Sequence, residues 1–250
     1  MIRLTLGSGD ASSFRLIFAL EEIGLPYEVT LIDLDALEQW SDAQRTLSPT
    51  GAVPLLQIDD LLMEESDLAL FFLAESNPAH GLLPREAAAL YDCQDTIYTL
   101  DRLMNASGNL LGWLAGTTEA TRQDYLARLA ATPSRPVLSG WSAVLRDAVP
   151  LDQRPQAALA DLEEGLDIIE GLLAKGDWLL GNEFSIADIA GMSLVHRLVP
   201  DLQSAIAPAK RPRIAAWMGR ISGRRAYQKA VGRQVSEGIS LFHSPPRDHL

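Results

Sequence analysis

Cysteine is nearly absent from these 250 residues: Cys93 stands alone, so no internal disulfide and no C-x-x-C redox pair can form. Histidine is scarce as well. His80, His196, His243 and His249 lack the spacing of metal ligands, which sets zinc catalysis aside and leaves no metal expected. Basic charge is in deficit, 21 Lys and Arg against 33 Asp and Glu, and the net −12 opposes approach to nucleic acid or to an anionic membrane surface, so neither is an expected partner. No stretch reaches the roughly 18 uninterrupted apolar residues of a membrane span. The opening MIRLTLGSGDASS has no charged segment followed by a long apolar run and cleavage site, so a soluble, cytoplasmic protein is expected. What is present, 47% hydrophobic residues with 18 Gly and 14 Pro, is the composition of an ordinary globular chain. At roughly 150 residues per domain the length suggests two domains.

The first eighty residues alternate strand and helix signals. Ile2, Leu4 and Leu6 repeat at period two and run into the Gly7-Ser8-Gly9-Asp10 turn, which predicts a strand leaving into a loop. From Ser13 to Ile23 the chain is apolar on most faces, with Gly24 and Pro26 to end it, so a well-buried helix is expected. A second strand follows at 27–32; Val53–Ile58 and Leu61–Met63 around Asp59-Asp60 read as a hairpin, and Glu64-Glu65-Ser66-Asp67 opens a further helix. A β-α-β unit needs a right-handed crossover with parallel pairing, and the added β-β-α gives a small mixed sheet with helices on its faces, a thioredoxin-like layout. Asn77 to Pro84 breaks the pattern. Beyond it Leu90, Cys93, Ile97, Leu100 and Met104, then Leu159, Leu162, Leu166, Ile169 and Leu173, recur at helical spacing, and no strand pattern appears between 86 and 232. The organisation expected is an α+β/α two-domain chain: residues 1–77 thioredoxin-like, 78–85 a linker, 86–250 all helical, with an irregular section at 115–155 and a flexible tail at 236–250.

Several segments then carry a specific likeness. Phe14 to Glu28, the loop Leu47-Ser48-Pro49-Thr50-Gly51-Ala52-Val53-Pro54-Leu55-Leu56, the pair Glu65-Ser66, the segment Trp178 to Ile189 and the Trp-and-Arg helix from Pro212 to Ala230 together resemble the cytosolic glutathione S-transferase family, over most of residues 2–232. A helix mouth favours a carboxylate through its free N–H groups and dipole, and a neighbouring acid suits an ammonium. The resemblance accordingly implies that Ser66 takes the α-carboxylate of glutathione's γ-glutamyl end and Glu65 its amine. It also implies that Pro54 is cis, so that the backbone of Val53 pairs with the cysteinyl residue as a strand would. Chemistry in this family requires a hydroxyl or thiol near the start of the first helix to hold the sulfur as thiolate, the nucleophilic form. No tyrosine precedes Tyr27, which leaves Ser8, Ser12 and Ser13; a gapless count from Ala19-Leu20-Glu21-Glu22 puts the usual serine position on Asp10 and the cysteine position on Ser12. An ionised carboxylate repels a thiolate, so Ser13 is preferred as the catalytic hydroxyl, with Ser12 second. The implied activity is a glutathione transferase using glutathione as co-substrate against a small hydrophobic electrophile, by conjugation, dehalogenation, ether cleavage or isomerisation. The implied assembly is a homodimer joined near Phe71-Phe72 and the first long helix. Asp10 motivates the alternative, a glutathione-binding or protein-interaction domain without efficient transferase chemistry.

The remaining motifs favour structural roles. Ser185-Ile186-Ala187-Asp188 has the spacing of a helix capping box. Cys93 lies on an apolar stripe and reads as a buried small hydrophobe, while Trp113, Trp141, Trp178 and Trp217 read as core. The arginines from 211 to 225 read as a solvated helix face.

Overall fold

A computed structural model describes residues 1–7, 11–34, 36–105, 107–108, 110, 123–124, 127, 154–198 and 209–236. Ser8, Asp10, Trp113, Trp141, most of the 115–155 section, and the tail beyond 236 with His243 and His249 lie outside them.

Four strands form one mixed sheet in the order β2-β1-β3-β4. β1 (Ile2–Gly7) runs parallel to β2 (Tyr27–Ile32), with Ile2 opposite Tyr27 and Gly7 opposite Ile32. On its other side β1 pairs antiparallel with β3 (Leu55–Ile58), which turns at Asp59-Asp60 into β4 (Leu61–Met63). The expected strand-helix-strand unit and hairpin are both present. Helix α1 (Ala11–Ile23) crosses between β1 and β2 and ends where Gly24, at φ +79°, supplies the left-handed turn that a side chain resists. It starts two residues earlier than the sequence suggests, so Ser12 and Ser13 lie inside its first turn. Two short pieces follow β2, a 3₁₀ turn at Glu38–Trp40 and α2 (Asp42–Leu47), and α3 (Ser66–Ser76) closes this half of the molecule.

The other half is helical: α4 (Ala87–Leu100), continued by a π-helical turn at Asp101–Asn105, then α5 (Arg154–Leu172), α6 (Ile186–Leu198), α7 (Pro212–Ser222) and α8 (Arg225–Ser236). Past Met63 the only strand-like pairing among the described residues is an isolated bridge between Trp178 and Gly181. The apolar stripes fall where the spacing puts them. Cys93, Ile97, Leu100 and Met104 are buried, with α4 packed on α6 and the π turn on α5, and Leu162, Leu166 and Ile169 are buried in the same core, but Leu159 faces outward at 39% exposure while Ala158 is buried. Helix α1 packs on α3 within its own half and on α6 and α8 of the other. With both faces covered, eleven of its thirteen residues are buried, which is why its apolar pattern runs right round the helix.

The capping box forms as read. Ala187 N–H donates to Ser185 Oγ at 3.2 Å and Ser185 N–H to Asp188 Oδ2 at 3.0 Å. Asp188 does more than cap: its Oδ1 also accepts from Leu179 N–H and from the indole of Trp217, each at 2.9 Å. Burial pushes this carboxyl above its ordinary range, against the donors that hold it down.

The arginine stretch corrects the solvated-face reading. Arg211 is 2% exposed and pairs with Glu163 and, at 2.7 Å, with Asp167 on α5. Arg213 and Ile214 place N–H donors on Glu170. Arg224 pairs with Glu22 at the end of α1 and lies 3.7 Å over the Phe184 ring, while Arg233 lies 4.3 Å over Tyr27. These cations bind α7 and α8 back onto α5 and α1.

Candidate functional site

The site is assembled at one end of the sheet from three pieces: the first turn of α1, the loop entering β3, and the mouth of α3. The loop is held by its own polar side chains. Ser48 Oγ accepts Ala52 N–H at 3.0 Å, and Thr50 Oγ1 donates to Glu64 Oε2 at 3.1 Å, which fastens the loop to the residues just before α3. Gly51, at φ +69°, lies so close over the Trp40 ring that a Cβ there would come within 2.9 Å of it. The Val53-Pro54 peptide is cis, and Val53, half-buried, sits just ahead of the ladder that begins with Leu55 opposite Thr5.

Glu65 occupies the N-cap of α3 in extended conformation, and its side chain caps none of the helix's own N–H groups. Partial desolvation, then the nearby charges of Asp67, Glu64 and Asp101, raise its carboxyl above the ordinary glutamate range. Ser66, the first residue of the helix, is 7% exposed. Asp67 is also raised, by burial and by Asp101, against the lowering pull of Arg15.

At the centre lies a residue the sequence reading passed over. Arg15 is fully buried in α1 and spreads its guanidinium over three acceptors. Nη1 donates to Ser66 Oγ at 3.2 Å and to Asp101 Oδ2 at 2.7 Å, with Asp67 Oδ1 at 3.5 Å, while Nη2 donates to the second oxygen of Asp101. The bidentate grip fixes the plane of the guanidinium and therefore where Ser66 sits relative to α1. A signal for it exists in the sequence: Arg15 is the one charged residue between Ala11 and Leu20, and a cation inside an apolar helix requires a buried acid. Nothing local identifies the acid, which lies 86 residues on.

The early serines occupy the same end of α1. Ser12 is 6% exposed and its Oγ accepts from Asn105 Nδ2 at 3.1 Å; Ser13 is 1% exposed. The structure thus joins Ser12, Ser66 and their neighbours through Arg15, Asp101 and Asn105, and the loop carrying Val53 and Pro54 meets them through Glu64. Cys93 is elsewhere, fully buried, with burial pushing its thiol up to about 12. Among the described residues no cluster of three or more His, Cys, Asp or Glu is placed to hold a metal, and no helix is long and apolar enough to cross a membrane.

A mixed four-stranded sheet with a cis-proline edge, joined to a helical half through α1, defines the fold of the glutathione transferases. Solved structures of that fold match it: β-etherase LigF from Sphingobium sp. strain SYK-6 superposes with a TM-score of 0.79 at 21% identity, over 93% of this chain and 99% of the other. A glutathione transferase family member from Pseudomonas fluorescens with two glutathione bound superposes with a TM-score of 0.70 at 18% identity, over 92% of each chain. By sequence, glutathione S-transferase 3 of Zea mays is 28% identical over 224 residues, 87% of either chain. Residues 127–220 match the family model of the glutathione S-transferase C-terminal domain. The chain is thus similar to glutathione S-transferases in fold and in sequence.

Proposed function

We propose that the chain is a cytoplasmic glutathione-dependent transferase that steadies the glutathione thiol as thiolate for attack on a small apolar electrophile. One observation carries this reading: Arg15 donates from α1 to Ser66 Oγ at 3.2 Å, so the serine-bearing turn and the mouth of α3 form one site. Glutathione's γ-glutamyl end offers a carboxylate and an ammonium. Ser66 takes the carboxylate with its N–H and hydroxyl, aided by the helix dipole, and the uncommitted Glu65 carboxylate takes the ammonium. Val53, ahead of the β3 ladder beside Pro54, pairs its backbone with the cysteinyl residue. That alignment directs the sulfur toward the first turn of α1, where the hydroxyl of Ser12 or Ser13 donates to it and helps lower the thiol's pKa. In this reading residues 1–77 form the glutathione-binding domain and residues 86–250 the helical domain on which the electrophile rests.

A homodimer fits the outer faces of α3 and α4. Leu68, Tyr91 and Tyr98 are each more than 60% exposed there, and the groove between the helices, about 640 Å³, is lined by Phe71, Leu82, Leu83 and Ile97. Apolar surface of this kind marks an interaction face.

The likeness to the β-etherase LigF favours ether cleavage among the variant reactions. The thiolate would attack the carbon bearing the ether oxygen, forming a C–S bond as the C–O bond breaks and the alkoxide or phenolate leaves to take up a proton.

The test is calorimetric titration with glutathione, followed by thiolate absorbance of the complex as pH is raised. Binding together with thiolate near neutral pH supports the transferase. Binding without it supports a glutathione-binding domain of the same fold, and a flat titration overturns both.

A further inference from the structure

We infer that Thr50 and Glu64 are positioning residues: the hydrogen bond between them sets the gap between the Val53 backbone and the mouth of α3, and thereby how tightly glutathione is held. The inference rests on the glutathione-binding reading and goes beyond it by assigning roles to two side chains engaged with each other rather than with the tripeptide.

The β3–β4 ladder makes its last pair at Leu56 opposite Met63. Beyond it, among the described residues, no backbone hydrogen bond links 53–55 to 64–66, so the cis loop and the helix mouth leave the hairpin as two separate pieces of chain. A side-chain bond bridges the opening. Thr50 Oγ1 donates to Glu64 Oε2 at 3.1 Å. Thr50 stands just before Gly51, Ala52 and Val53, and Glu64 just before Glu65 and Ser66, so short stretches of chain connect each end of the bridge to the groups that would grip glutathione.

The directions of the hydrogen bonds show how the bridge reaches Val53. An ionised carboxylate only accepts, so the Thr50 proton lies on Glu64. Ser48 Oγ, 3.1 Å from Thr50 Oγ1, then donates to that oxygen, and Ala52 N–H donates to both hydroxyls, at 3.0 Å to Ser48 and 3.3 Å to Thr50. The relay runs one way, Ser48 to Thr50 to Glu64, and each bond polarises the next. Its origin is buried, Ser48 being 1% exposed. Ala52 is held directly and Val53 is the next residue, so the peptide offered to the cysteinyl residue takes its orientation from the relay. On the other side Gly51 rests against the Trp40 ring, which keeps the loop from moving away from the bridge in that direction.

Glu64 also carries an electrostatic cost, since its charge is among those that raise the neighbouring Glu65. A neutral residue would spare Glu65 that repulsion; the loop is what needs the acid. Thr50 and Glu64 are themselves only half-buried, so the core should depend on them little and binding more.

The experiment is a double-variant cycle on the full chain, with a calorimetric glutathione titration and a thermal melt of each variant. Thr50→Val keeps the shape of the side chain and removes its proton donor; Glu64→Ala removes the acceptor. Each is expected to weaken glutathione binding by about tenfold, the effect of losing one hydrogen bond to a charged group. The double variant should bind little more weakly than either single one, and Thr50→Ser, which restores the hydroxyl, should bind close to the unaltered protein. Should Glu64→Ala fail to fold, Glu64→Gln, which keeps an acceptor oxygen without the charge, carries the cycle with a smaller loss. A purely structural pair would lower the melting temperature and leave affinity in place. That result, additive losses in the double variant, or a loss in Thr50→Ser as large as in Thr50→Val, overturns the inference while glutathione binding stands. A flat titration of the unaltered protein overturns the functional reading and the inference with it.

Discussion

Replacing Asp188 by alanine is expected to be among the most destabilising single changes in the helical half. The carboxylate is fully buried and accepts from Leu179 N–H, Ser185 N–H, Ser185 Oγ and Trp217 Nε1, at 2.9 to 3.3 Å. Alanine strands three N–H donors away from water, since only the serine hydroxyl can turn to another acceptor. A buried donor left unpaired costs about 1–3 kcal/mol. The cost of desolvating a carboxylate is recovered in the variant, so a net loss of about 3–5 kcal/mol is expected. At roughly 2–4 °C per kcal/mol for a chain of this size, the melting temperature should fall by about 10 °C or more. Asp188→Asn keeps one acceptor oxygen but turns an NH₂ group toward the remaining donors, and should fall between alanine and the unaltered protein. The assay is thermal and urea unfolding followed by tryptophan fluorescence, to which the fully buried Trp217 of this network contributes. An alanine variant within about 1 kcal/mol of the unaltered protein would show that these hydrogen bonds do not bind the three segments together.

Other outcomes follow from the same geometry. Ser185→Ala loses one cap bond to Ala187 N–H and should cost about 0.5–2 kcal/mol, read from the same melts. Arg15→Leu leaves Asp101 and Asp67 facing each other without their cation; both are partly exposed, which favours the lower end of the about 3–5 kcal/mol typical of a broken buried pair. Arg15→Lys should not restore glutathione affinity, because an ammonium cannot span both oxygens of Asp101. The Glu65 carboxyl is raised, so as pH falls it takes up a proton before an ordinary glutamate would, and loses the charge that holds the ammonium. Glutathione affinity should therefore weaken on mild acidification, and Glu65→Gln should remove most of that dependence in a calorimetric pH series. Cys93 should resist thiol reagents in the native protein at neutral pH and react fully once unfolded, because burial holds its thiol near 12.

How much of this could be read from residues alone depended on distance along the chain. Period-two runs ending at Gly7 and at Asp59-Asp60, and a helix ended by Gly24, carry their information within a few residues, and the sheet and α1 follow from them. The capping box is equally local, though its link to Trp217 is not: that partner is 29 residues away. Arg211 illustrates the opposite case. Its acids are on α5, more than forty residues earlier, so a run of arginines looks like a solvated surface until α7 is laid on α5. Arg15, Asp101 and Asn105 were missed for the same reason, since only the packing of the π turn on α1 makes them neighbours. Ser12 and Ser13 were identified by residue type and by their place at the start of α1.

The grip of α8 on α1 has a consequence for the order in which the chain is made. Arg224 reaches Glu22 across 202 residues, and Tyr227 stands edge-on to Phe14 and Phe18. α1 therefore waits for a helix made 202 residues later to complete its cover, and until then Phe14 and Phe18 lack the Tyr227 ring that stands against them. A nascent or prematurely terminated chain that stops short of Ile186 carries that unfinished surface permanently, which makes it a substrate for chaperones or for degradation rather than a small working enzyme.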